Sequence, residues 1–177
     1  MYQLGRFRLY SIRESYFWLD GGIVYGGVPK VLWQNLSRPN GQNRVRLSVT
    51  PLLICSPQGN ILVDTGIGEK SDEKMTKIFG IEKVSPVRVW LQGINLGVDD
   101  IDKVLLSHLH FDHAGSCVYT RGDELIVTFK RAQHLVQELA WKEAMDPDER
   151  SRASYQSKDF IPLMQQGLVK LIQGEYR

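Results

Sequence analysis

Three of the chain's four histidines and one aspartate fall within six positions, in Ser107-His108-Leu109-His110-Phe111-Asp112-His113-Ala114-Gly115. Imidazole nitrogen and carboxylate oxygen together suit Zn²⁺, Fe or Mn²⁺ better than Ca²⁺ or Mg²⁺, which take all-oxygen cages. A lone histidine is more often a satisfied core or surface group than a ligand, but chance does not produce this clustering. The apolar run Val104-Leu105-Leu106 just before it reads as a short buried strand. His108 and His110, two residues apart on extended backbone, then point to the same side. Asp112 and His113 follow where the chain would bend into a helix start, giving two facing pairs of donors at a strand end, where sites on layered α/β scaffolds are usually built. His134 stands alone in Arg-Ala-Gln-His-Leu-Val and reads as a core residue. Cys117 lacks the partner pattern of a nucleophile and reads as a small buried apolar group.

These donors need a sheet behind them. Period-two alternation over 3–14 and again over 44–55 predicts two half-buried strands. Between them Asp20-Gly21-Gly22-Ile23-Val24-Tyr25-Gly26-Gly27 has loop chemistry, with Tyr25, Val28 and Trp33 as candidates either for an apolar wall over the metals or for anchors of a long loop. The turn Ser56-Pro57-Gln58-Gly59-Asn60 predicts a hairpin ending at Asp64-Thr65-Gly66. Helices are expected over 70–79 and after Pro86, where proline suits a first helical position, and again over 137–144 and 160–166. Further strands are expected over 104–107, 131–136 and 168–172, alternating with helices as in a layered fold.

The chain has 177 residues, of which 42% are hydrophobic and 24% charged, enough for one hydrophobic core and unlike a disordered chain. A formal net charge of +2, with the two signs interspersed, calls for no polyanionic partner. Cys55 and Cys117 are too few and too far apart for a disulfide-stapled scaffold. The first ten residues hold no apolar signal segment, and no stretch is long enough to span a bilayer. The expectation is a soluble, cytoplasmic protein that takes a small-molecule substrate and binds neither nucleic acid nor membrane.

The pattern His108-x-His110-x-Asp112-His113, preceded by an apolar strand and by Leu62-Val63-Asp64-Thr65-Gly66, resembles the signature of the metallo-β-lactamase-fold hydrolases. The likeness extends through Asp20-Gly21-Gly22, Val28-Pro29-Lys30-Val31-Leu32-Trp33 and Glu138-Leu139-Ala140-Trp141. It continues through Arg150-Ser151-Arg152-Ala153-Ser154-Tyr155, which is similar to the lactonase-like and esterase-like branch. The resemblance implies a mixed α+β or α/β fold, an αββα four-layer sandwich, with two metal ions, commonly Zn²⁺ and sometimes Fe or Mn. It implies that His108 and His110 hold the first ion and Asp112 and His113 the second. Asp64 would brace the metal loop, unless it is a simple turn aspartate. Metal lowers the pKa of bound water from about 15.7 to near 7, and two ions ~3.5–4 Å apart can share a hydroxide and steady an oxyanion. Asp112, beside that hydroxide, would be the catalytic residue that orients or protonates.

Members of the family also carry ligands further along the chain, and no histidine follows His134 here. The expectation is therefore a single domain over 1–177 that is C-terminally incomplete, the amino-terminal half to two-thirds of the fold. With two donors per ion where a catalytic zinc site has three, weak affinity and impaired catalysis are expected. Strands such as Leu52-Leu53-Ile54 and Val104-Leu105-Leu106 would be poorly covered, favouring self-association through an open sheet face. The implied activity is metal-dependent hydrolysis of a small lactone, ester or similar carbonyl compound. The alternatives are a catalytically incompetent remnant acting as a binding module, and a phosphodiesterase or nuclease of the same fold, which would need a basic or aromatic surface.

Overall fold

The structure, a computed structural model, describes residues 1–83 and 85–175. The first expected strand is two strands, β1 (Tyr2–Leu4) and β2 (Phe7–Ser11), hinged at Gly5 with φ +57°. β3 (Ser15–Asp20) then leaves for a different sheet. The Gly-rich stretch expected to be loop begins instead as a short helix, α1 (Gly21–Tyr25), because the Asp20 carboxylate accepts from the Gly22 N–H at 2.7 Å and caps it. After α2 (Lys30–Trp33), the strand expected over 44–55 is broken as well, into β4 (Arg44–Val49) and β5 (Leu52–Ser56). Pro51 has no N–H for a ladder, and the two halves join different sheets.

The remaining elements follow the expected order with shifted ends. β6 (Gly59–Val63) completes the hairpin with β5, and α3 (Glu73–Phe79) is capped by Asp72. β7 (Glu82–Lys83) and α4 (Val87–Gln92) precede β8 (Lys103–Leu106) and α5 (Phe111–Ala114). A hairpin of β9 (Val118–Arg121) and β10 (Glu124–Val127) was not expected from the sequence. β11 (Gln133–Gln137), α6 (Glu138–Met145), α7 (Ser157–Gln165) and β12 (Val169–Ile172) complete the described chain.

Seven strands form one sheet in the order β1-β2-β5-β6-β8-β11-β12. Its first half is antiparallel, whereas β6, β8, β11 and β12 run parallel. One face, carrying Leu53, Leu62, Val104, Leu106 and Val136, is buried beneath α4, α6, α7 and the β9-β10 hairpin in the main core. A smaller core gathers Phe17, Val49, Ile67, Ile81 and Phe111 beside β3 and β4. Phe111, which lies inside the histidine motif, packs against Phe17 and Phe79 with ring centroids 5.6 and 4.6 Å away. The opposite face of the large sheet carries Leu52, Ile54, Ile61, Val63 and Leu105, all only half-buried and outside both cores.

His134 lies in the main sheet, fully buried, with neither ring nitrogen at hydrogen-bond geometry. Burial lowers its pKa to about 4, and the nearby backbone of Ala132 and Leu168 offsets only part of that. The folded chain thus holds His134 neutral, while the unfolded chain protonates it near pH 6.5, so the unfolded form binds more protons between these values. Stability from this site is present above about pH 6.5 and is lost as pH falls toward 4. Urea unfolding should show wild type losing roughly 2 kcal/mol more than His134→Leu between about pH 7.5 and about pH 5. Equal losses in the two proteins would contradict the burial argument.

Candidate metal centre

β6 and β8 are parallel neighbours, so their carboxyl ends lie side by side. The Asp64 N–H donates to the Leu105 carbonyl at 2.8 Å, extending the ladder by one residue before the chain turns. Asp64 itself has φ +55°, a left-handed conformation that aspartate tolerates better than most residues. That turn aims its carboxylate across the end of β8. Oδ1 accepts from the Ser107 N–H at 2.8 Å, while Oδ2 accepts from the Ser107 hydroxyl at 2.9 Å and from His113 Nδ1 at 2.9 Å.

The structure brings the sequence-predicted donors together. The His108 ring lies 4.4 Å from that of His110 and 3.9 Å from that of His113, centroid to centroid. His113 Nε2 is 3.2 Å from Asp112 Oδ2. Two donors bound tetrahedrally at about 2.0–2.1 Å would be about 3.3 Å apart, so this pair has the spacing of two ligands to one ion. With Nδ1 committed to Asp64, His113 presents Nε2 outward. Among the described residues no group of three or more His, Cys, Asp or Glu side chains is disposed to hold a metal ion. The Asp112–His113 pair thus has donor spacing that suits one ion, the His108 and His110 rings lie beside it, and further ligation is needed to complete any ion's shell.

Charges in the cluster divide by environment. Burial, reinforced by the neighbouring His113 and His110, lowers the His108 pKa to about 4, and burial likewise lowers that of His110. Burial pulls His113 down too, but the Asp112 and Asp64 carboxylates outweigh it and raise its pKa to about 9. Burial pushes the Asp64 carboxyl up, yet bonds from His113 and Ser107 leave it below the usual carboxylate range.

Several residues that build the site were not picked out from the sequence. Ser107 touches Asp64, His108 and His113 at once, and its place beside the motif was the signal available. Glu14 is buried and accepts from the Ser15 hydroxyl and from the N–H groups of Ile67 and Gly68, pinning the loop that carries Asp64. Nothing local in the sequence marks it. Gly115 must lack a side chain, because a Cβ there would lie 2.2 Å from the Ile67 carbonyl oxygen. Tyr155 sets its ring edge-on to His110 at 4.5 Å, and burial with the Glu143 carboxylate raises its phenol to about pKa 12.

The other candidates lie elsewhere. Trp33 is buried and stacks on Tyr25 at 4.8 Å, and its ring fills the space where a side chain at Gly21 would be. Both aromatics anchor their own loop, while Val28 is exposed. Burial raises the Cys117 thiol to about pKa 12, far from a thiolate nucleophile.

Asp64→Asn replaces the carboxylate by a neutral amide that either turns its N–H₂ toward His113 Nδ1 or accepts through one uncharged oxygen, and so removes or weakens the bond that holds the proton on Nδ1. Zinc affinity, read by competition with a chromogenic chelator, should fall 10- to 100-fold, as is usual for partners standing behind ligands. Unchanged affinity would show that Asp64 is a turn residue only.

The metallo-β-lactamase superfamily model matches residues 44–120, the segment from β4 through the histidine motif to β9. A Staphylococcus aureus structure, of a probable metal-dependent hydrolase, superimposes with a TM-score of 0.90 at 31% identity, over 99% of this chain and 62% of that one. The structure of a quorum-quenching N-acyl homoserine lactone hydrolase gives a TM-score of 0.65 at 26% identity, over 96% of this chain and 58% of that one. Transcription termination factor FttA of Methanosarcina mazei is 33% identical over 63 residues, which is 36% of this chain and 8% of that protein. The chain thus spans about three fifths of the two solved structures. The chain has the fold of the metallo-β-lactamase hydrolases over nearly its whole length, and its segment 44–120, which carries the donor loop, matches that superfamily's model.

Proposed function

We propose that this chain supplies the metal-binding part of a hydrolase acting on a small lactone, ester or similar carbonyl compound. The observation that carries the reading is the pair of donor sets at adjacent parallel strand ends, with Asp64 fixing the tautomer of His113. The likeness to a lactone hydrolase supports the substrate class. His108 and His110 would hold one ion, and Asp112 and His113 the other. Bound there, zinc, iron or manganese supplies Lewis acidity and lowers the pKa of coordinated water to near 7.

The chain's own residues orient and shield. Asp112 Oδ2, beside His113 Nε2, is placed to hold a proton at the reacting centre. Tyr155 limits the rotation of His110 from one side, and buried Phe111 fixes the backbone between the two donor pairs. A cavity of about 70 Å³ opens beside Asp112 and His113, walled by Val49, Thr50 and Pro51. The free, buried thiols of Cys55 and Cys117 suit a reducing, cytoplasmic setting, and no described helix is long and apolar enough to cross a membrane.

Metal analysis and a hydrolysis panel of an N-acyl homoserine lactone, a simple γ-lactone and an aryl ester test this. Expected are uptake of zinc, iron or manganese that His110→Ala lowers at least ~100-fold, since a removed ligand empties the site, and slow turnover of a lactone or ester that a chelator abolishes, slow because this chain gives each ion only two donors. The absence of both metal uptake and chelator-sensitive turnover would overturn the proposal.

The same reading extends to self-association of this chain. Leu52, Ile54, Ile61, Val63 and Leu105, cross-strand neighbours on three adjacent strands, form a half-covered apolar face on the large sheet. A second copy packing there would bury it. Sedimentation velocity should show a concentration-dependent dimer or larger species that Leu105→Lys shifts toward monomer; a monodisperse monomer at all concentrations would contradict it.

A further inference from the structure

Lys70 and Asp159 form an ion pair at 3.0 Å with side chains 2% and 4% exposed. The metal reading makes no use of either residue. Lys70 Nζ also donates to the carbonyls of Gly115 and Val118, so one ammonium grips the chain directly after the histidine motif at two points. We propose that Lys70 and Asp159 are positioning residues, a buried clasp that holds the candidate metal loop at a fixed setting against the loop after β6 and against α7. For its zinc-affinity arm the inference rests on the reading of the cluster as a metal centre.

The connectivity supports the assignment. The loop after β6 already grips the motif from the front, with Asp64 on Ser107 and His113, and with Thr65 donating to the His113 carbonyl through both its N–H at 2.7 Å and its hydroxyl at 2.8 Å. Lys70 belongs to the same loop six residues later and takes hold of the motif's far end. Asp159 lies in the first turn of α7, four residues after Tyr155, whose ring abuts His110. Lys158 adds a bond from its Nζ to the Lys70 carbonyl at 3.3 Å. The loop after β6, the end of the histidine motif and the first turn of α7 are therefore joined through Lys70.

Stability alone does not account for such a pair. Replacing a buried ion pair by apolar groups of similar size is often neutral or stabilising, because desolvating two charges costs as much as their attraction returns. Burial pushes the Asp159 carboxyl up, with Lys70 opposing it, as that cost requires. What an apolar pair cannot supply is donors directed at the Gly115 and Val118 carbonyls.

The test compares the full chain with Lys70→Met/Asp159→Leu, which removes both charges together. Amide hydrogen exchange without metal is expected to quicken at least about tenfold over residues 107–118, with melting temperature and exchange in β11 unchanged, the pattern of a local opening. Zinc affinity is expected to weaken roughly tenfold, the low end for groups standing behind ligands. If the double variant does not fold, Asp159→Asn is read the same way, with a smaller local acceleration expected. Exchange over 107–118 equal to wild type overturns the proposal whether or not zinc binds. So does acceleration spread evenly over the whole chain, which marks a merely structural pair. Local acceleration in the double variant, alongside a wild-type chain that takes up no zinc, upholds the clasp and overturns the metal reading instead.

Discussion

The carboxylate of Asp64 is the contact on which the site depends. It stands at the end of one parallel strand and collects three hydrogen bonds from the end of the next, two from Ser107 and one from His113. A partly buried carboxylate is costly without partners, so this one stays ionised only while the β8 loop is in place. The loop in turn keeps a proton on His113 Nδ1 only while Asp64 is ionised. Strand pairing thus becomes ligand geometry through a single side chain, and the left-handed backbone at Asp64 is the local strain that makes the reach possible.

Packing holds the same loop from below. Phe111 sits between the two donor pairs in sequence and points the other way, into the small core with Phe17 and Phe79. The alternation of apolar and ligating residues in His108-Leu109-His110-Phe111-Asp112 is therefore a two-sided design, with Leu109 and Phe111 buried and the donors on the opposite side. Glu14 and Gly115 let the loop after β6 approach closely enough for Asp64 and Thr65 to make their bonds. Rigid ligands come at the expense of a long list of positions where substitution is poorly tolerated.

Much of this was legible in the sequence, for identifiable reasons. The donor cluster and the apolar strand before it are local patterns, and the hairpin turn at Ser56-Pro57-Gln58-Gly59 carries its own chemistry, so β5, β6 and β8 fall close to where periodicity puts them. The failures have non-local causes. The strand expected over 44–55 keeps its apolar character across Pro51, yet its two halves pair with different partners, β3 for one and β2 for the other. The segment after Asp20 looks like loop because of its glycines, and only the cap formed by Asp20 turns it into helix. Glu14, Lys70 and Asp159 act across 45 residues or more, and no spacing rule points to a partner so distant.

The central claim is that His108, His110, Asp112 and His113 are metal donors whose setting Asp64 controls. Long-range ¹⁵N–¹H spectra of the histidine rings during a zinc titration test it most directly, because they report each nitrogen separately. The account predicts that His113 keeps its Nδ1 proton while its Nε2 shifts on binding, that His108 and His110 shift with it, and that buried His134 does not move. Rings that remain unperturbed at saturating zinc, or a His113 that binds through Nδ1, would contradict it.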